Sequence, residues 1–253
     1  MTPTEPGLPL AIALVLLVAL AVAVSLVARL QLSRQVVWAS VRAVLQLAAV
    51  SLIITAALSH LALAAAFGLV MFAVAVFTSA GRCGVRDRWW WVAVAMAAGI
   101  VPVLLIVFLS GTAPLNGAAL VPIAGIIIGN TMTGHTLVGR KAFDELRGTV
   151  GSYEAGLAIG LERPQVIRAL IDRTRVEAVI PNLDSTRTVG LVTLPGAFVG
   201  VLLGGGSPIE AGAAQLLVLF GIVAAQFVTV TVAAELIGSA RLLPADLRER
   251  LRP

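Results

Sequence analysis

The chain has 253 residues, 59% of them hydrophobic and only 12% charged, with 18 Lys and Arg against 13 Asp and Glu. Its mean hydropathy is +1.01 and its pI is near 10.9, whereas a soluble domain carries roughly a quarter charged residues. Five stretches without Asp, Glu, Lys or Arg (6–28, 43–81, 89–139, 188–209 and 211–234) each reach the roughly 20 apolar residues that cross a bilayer. They exclude a soluble enzyme and leave no room for a separate catalytic domain of on the order of 100 residues.

Division at Gly, Pro and charged residues predicts an all-α polytopic membrane protein with seven transmembrane helices, at about 8–28, 36–58, 61–80, 89–109, 118–138, 187–205 and 212–237. The first run has only Glu5 before it and Arg29 and Arg34 after it, so it reads as a retained span with an outer N-terminus rather than a cleaved signal. With that start, all 18 Lys and Arg fall on one side of the membrane. The opposite side, made of residues 1–7, 59–60, 110–117 and 206–211, has none. The expected topology is N-outside and C-inside. Orientation then accounts for the net charge of +5, with no need of a nucleic-acid partner.

In the second span Arg42 sits about six residues from the start with Gln46 one turn further on. The pair can tie helices together or line a substrate path, and Arg42 is near enough to the inside to snorkel. The lone Cys83 lies in an inside loop and excludes an internal disulfide or a multi-cysteine metal cage. In the fifth span Asn130, Thr131, Thr133 and His135 gather within six residues. Polar groups at that depth either bond between helices or line a path for solute. Met132 and His135 are three residues apart and can offer a thioether and an imidazole together, but a core Met beside a buried His explains them as well, and the metal ligands stay unassigned. In the sixth span Pro195 predicts a kink, and Gly196, Gly200 and Gly204 form a small-residue stripe that suggests a gate.

Residues 139–186, between the fifth and sixth spans, are expected as a cytoplasmic helical segment within a single membrane domain over 1–253. From Gly139 to Thr188 there are eight basic and seven acidic residues, a balance unlike a one-sided nucleic-acid surface. Three helical pieces follow from the pattern. The fifth span continues to Leu146 and stops at Gly148. A short helix starts after Ser152, carries Glu154 in its first turn and breaks at Gly160. A third begins with Pro164 and ends before Pro181, with Ile167, Leu170, Ile171, Thr174 and Ala178 on one face and Arg168, Asp172 and Arg175 on the other. The link Leu161-Glu162-Arg163-Pro164 makes an elbow that either caps the bundle or docks a cytosolic partner.

Glu154-Ala155-Gly156 followed by Gly160 resembles the signature by which permease subunits of ATP-binding-cassette transporters engage their ATPase, although the apolar-Pro ending, Ile180-Pro181, comes about ten residues late. The run from Ile180-Pro181-Asn182-Leu183-Asp184-Ser185-Thr186-Arg187 through Thr188-Val189-Gly190 to Leu194-Pro195-Gly196 is more specific. Together with Pro122-Ile123-Ala124-Gly125, Gly129-Asn130, Arg42 and Gln46, it resembles the permease family once catalogued only as an uncharacterised protein family (UPF0014), which includes bacterial iron-export permeases and plant aluminium-tolerance membrane proteins. Arg187 stands where Lys is expected and Thr193 where Ser is expected.

The resemblance covers about 36–237 and implies Pro181, Asp184, Ser185, Arg187 and Gly190 as family motif residues. It further implies a permease homodimer in a bacterial inner membrane, coupled to a cytosolic ATPase through Glu154, Ala155, Gly156, Gly160, Glu162, Arg163 and Pro164. The cargo it implies is a small solute, iron or another metal, for export; the polar and small residues within the spans, Arg42, Gln46, Asn130, Thr133, His135, Pro195, Gly196 and Gly200, are the candidate substrate path or gate. The nearest approach to a phosphate loop, residues 134–141, departs from Gly-x4-Gly-Lys-Ser/Thr by an inserted Arg and a following Ala. No cofactor is therefore expected in this chain, and ATP with Mg belongs to the partner subunit. Three alternatives stay open: a secondary transporter, for which no internal repeat is found; an intramembrane enzyme using His135 with Asp184 or Glu235, which lacks a nucleophile at a recognisable spacing; and a membrane scaffold.

Overall fold

The computed structural model describes residues 7–252, with only the backbone of Ala56. The expected outer segment with Glu5 lies outside the described residues. Two units form, one ending at Ala56 and one beginning at Ala57. In the first, α1 (Leu8–Val27) is joined to α2 (Ser33–Ser59) by a tight turn. Arg29 and Gln31 adopt positive φ there, and Ser25 Oγ accepts from the Leu32 amide at 3.3 Å and from the Ser33 hydroxyl at 3.2 Å. Leucines and valines stand exposed along both helices, as surfaces solvated by lipid require.

The second unit is a bundle of α3 (Leu61–Arg82), α4 (Trp89–Leu109), α5 (Gly117–Gly148) and α9 (Pro208–Gly238), with a short turn of 3-10 helix at Arg86–Arg88 before α4. Val92, Met96, Ile127, Phe143 and Ile237 fill its centre. The closest approach is at Gly99, where a Cβ would lie 2.2 Å from the Ala225 carbonyl oxygen. α4 and α9 can cross this tightly only because Gly99 has no side chain.

The expected helical elbow is present, with α6 over Val150–Ala158 and α7 over Arg163–Thr188. α7 does not end before Pro181 but runs through it. The fifth span extends to Gly148 as expected; its 32 residues reach about 48 Å at 1.5 Å per residue, well beyond a hydrocarbon core of about 30 Å.

The stretch 187–205, expected as one kinked span, is instead broken. α7 ends at Thr188, a turn closed by the isolated Val189–Thr193 bridge follows, and α8 occupies only Gly196–Leu203. Eight residues make about 12 Å of helix, too short to cross alone. Pro195 caps the start of α8 rather than kinking a span, and an added Cβ at Gly196 or Gly200 would meet nothing within 4 Å, so the small-residue stripe seats no neighbouring helix among the described residues. Among the described residues, six helices have the length and apolarity to cross a membrane.

α7 runs antiparallel to α9: Arg168 near its start bonds Glu235 near the end of α9, while Pro181 and Ser185 share a cleft with Gln226. The composite of α7, turn and α8 therefore climbs alongside α9. After α9, the chain folds back through α10 (Ala245–Arg250), burying Leu242, Leu243, Leu247 and Leu251 completely.

Candidate functional site

Where α5, α7 and α9 meet, a cleft of about 150 Å³ is bordered by Asn130 and Thr133 from α5, Pro181, Asn182 and Ser185 from α7, and Gln226 from α9. Its polar side chains are neutral amides and hydroxyls. Several donors are already spent inside the helices. Asn130 Nδ2 donates to the Ile126 carbonyl at 2.9 Å, Thr133 Oγ1 to Gly129 at 3.1 Å, and Ser185 Oγ to Pro181 at 2.9 Å. Gln226 is only 4% exposed. Its Nε2 donates to the Asn130 carbonyl at 2.7 Å, but its Oε1 and the Nδ2 of Asn182 are buried without a partner. A buried polar atom without a partner costs on the order of 1–3 kcal/mol. Two of the expected path residues, Asn130 and Thr133, thus join two motif residues, Pro181 and Ser185, in one place.

Other expected path residues lie elsewhere. His135 turns away from the cleft and is fully buried against α3, its Nδ1 2.8 Å from Ser79 Oγ. That hydroxyl also lies 2.9 Å from Thr136 Oγ1, and His135 Nε2 has no partner. Ser79 is the nucleophile-type neighbour that spacing did not reveal, but both side chains are sealed from solvent and no carboxylate is bonded to the ring. The arrangement is an interhelical tie. Met132 packs partly buried against the core, and among the described residues no three His, Cys, Asp or Glu side chains converge. Arg42 and Gln46 stand exposed on α2, in the first unit. Cys83 is buried at the end of α3, and burial pushes its thiol up to about 11. It stays protonated and inert.

At the elbow, Tyr153 and Gly156 face inward while Glu154, Ala155 and Gly160 face out. A Cβ on Gly156 would stand 2.8 Å from Val166 Cγ2, so this glycine lets α6 lie directly on α7. Gly160 turns the chain at φ +89°, a conformation that favours glycine. Glu162 caps α7: its side chain accepts from the Gln165 amide, and Gln165 Oε1 accepts from the Glu162 amide at 2.9 Å. Pro164 sits in the first turn, where a missing N–H costs nothing. Ile159 and Leu161 protrude beside Glu154, 79% and 42% exposed.

The motif residues build the break after α7. Asp184 and Arg187 pair at 2.9 Å on the exposed surface, and Gly190 at φ +84° closes the turn through its amide to the Thr193 carbonyl at 2.9 Å.

The model of an uncharacterised protein family, UPF0014, matches residues 8–241. The chain is similar to the UPF0014 membrane protein STAR2 of Oryza sativa, at 31% identity over 80% of this chain and 72% of the relative. It is similar to the probable iron export permease protein FetB of Escherichia coli, at 30% identity over 83% and 82%. Protein ALUMINUM SENSITIVE 3 of Arabidopsis thaliana is 33% identical over 60% of this chain and 56% of its own. No solved structure matches the chain.

Proposed function

The chain belongs to this UPF0014 family, and from that premise we propose that it is the membrane-spanning permease subunit of an ATP-binding-cassette transporter in a bacterial inner membrane. In this reading it works as a homodimer, carries no catalytic residues, and depends on a separate cytosolic ATPase that binds ATP and Mg. One relative is named a probable iron export permease, which supports transport and makes iron or another metal the first cargo to examine. The observation that carries the reading is the elbow. α6 and α7 are packed to each other through Gly156 and Val166, yet they turn Glu154, Ala155, Ile159 and Leu161 to solvent beyond the apolar spans. A rigid, half-apolar knuckle of this kind offers a partner both buried area and a charge to read. Arg168 and Arg175 on α7 reach Glu235 on α9 at 3.0 and 3.8 Å, so a push on the knuckle is passed to a helix that borders the cleft.

The test is co-purification of the full chain with a Walker-motif ATPase from the same cell, followed by ATP hydrolysis in reconstituted membranes. Glu154→Arg is expected to abolish co-purification and stimulated hydrolysis while the melting temperature stays unchanged, because the side chain is exposed. Normal assembly and transport by that variant would overturn the assignment.

A further inference from the structure

Towards the charged end of α5 the polar cleft opens into a second space of about 340 Å³, bordered by Arg82 from α3 and by Arg140, Lys141 and Asp144 from α5. The two spaces share Thr133 and Leu137. From Asn130 to Arg140 is ten residues, about 15 Å along the helix, so the two spaces adjoin along one face of α5. The charges around the mouth do not cancel. Lys141 is bonded to Glu177 of α7, and Asp144, at 3.0 Å, shares Arg147 with Asp246. Arg82 and Arg140 have no carboxylate partner among the described residues. Two guanidiniums with no carboxylate within 4.0 Å therefore border an open, solvent-facing space next to the neutral cleft. A guanidinium is a planar fork of N–H donors whose geometry matches the paired oxygens of a carboxylate or phosphate. It repels a bare cation.

We propose that Arg82 and Arg140 form an anion-receiving site at this mouth, which takes a carboxylate or phosphate group. The transported solute is engaged there through that group, so a metal cargo passes this mouth as an anionic oxygen-ligand complex and not as a free ion. Calling the bound anion cargo rests on the permease reading; the anion site itself does not.

The full chain in phosphatidylcholine nanodiscs is titrated calorimetrically with citrate, with inorganic phosphate and with Mn²⁺ alone. Citrate or phosphate is expected to bind with an affinity that falls as salt rises. The double variant Arg82→Gln/Arg140→Gln should weaken binding at least tenfold with an unchanged melting curve, Arg82→Lys/Arg140→Lys should lose less, and Arg250→Gln should stay within twofold. If the double Gln variant fails to fold, single Arg140→Gln supplies the comparison. Wild-type citrate and phosphate binding by a folded variant, or Mn²⁺ alone binding more tightly than either anion, overturns the site. Retention of phosphatidylglycerol by the wild type but not by the variant, with no binding of citrate or phosphate, identifies the anion as a lipid headgroup and overturns its role in cargo. Anion binding that persists in a protein showing neither transport nor ATPase association leaves the site standing and sinks the permease reading instead.

Discussion

Ser79 carries no charge and belongs to no motif, yet it holds the one buried imidazole in the second unit. Ser79→Ala leaves His135 with neither ring nitrogen bonded and removes the neighbour of Thr136 Oγ1. The expected loss is about 1–3 kcal/mol, read as a lowered melting temperature in detergent, with transport unaltered where the protein stays folded. A change in transport at constant stability would instead make His135 part of the path. Asn130 and Thr133 stood out in the sequence because polar side chains are expensive within an apolar run. Neither Ser79 nor Gln226 did: their partners lie 56 and 96 residues away, and such pairings leave no mark on local spacing. Asn182 was visible only inside the family motif, with nothing to show that its amide would be buried at the meeting of three helices.

Proline was read as the end of α7, since it removes one N–H and crowds the preceding turn. α7 nevertheless continues through Pro181, because packing against α5 and α9 supports the turn. The opposite failure occurred at 187–205, where an apolar run of adequate length is broken by Gly190 at positive φ and by Pro195. The apolar periodicity of 238–252 is too short to signal a helix, so α10 was unseen. Arg147 anchors α10 by donating to Asp246 at 2.8 Å, and that hydrogen bond, reinforced by the guanidinium charge, holds the Asp246 carboxyl below its ordinary value. A carboxylate with a depressed folded value stabilises fully above its unfolded value of about 3.9 and loses that contribution as pH falls through the folded one. Amide protection of residues 245–250 is therefore expected to hold from neutral pH to about 5 and to fall below about 4. The amplitude is under about 1 kcal/mol, because the pair is well exposed to water. Protection that changes between pH 7 and 6 would place the anchor elsewhere.

For the whole molecule, the expected one-sided placement of Lys and Arg and the broken sixth stretch make a joint demand. Six long helices alone would leave both termini on one side, so an outer N-terminus and an inner C-terminus require the composite of α7, turn and α8 to complete a crossing. In a Cys83→Ser background, Ser207→Cys is expected to react with a membrane-impermeant maleimide from outside, and Arg173→Cys only after permeabilisation. Equal labelling of both from one side would overturn the crossing. The elbow has a further dependence, on the order of synthesis. The Tyr153 hydroxyl donates to the carbonyls of Leu251 and Arg252 at 3.2 and 3.0 Å, so the inner face of α6 is completed by residues made almost a hundred positions later. A nascent chain that has inserted every long helix still presents an unfinished knuckle.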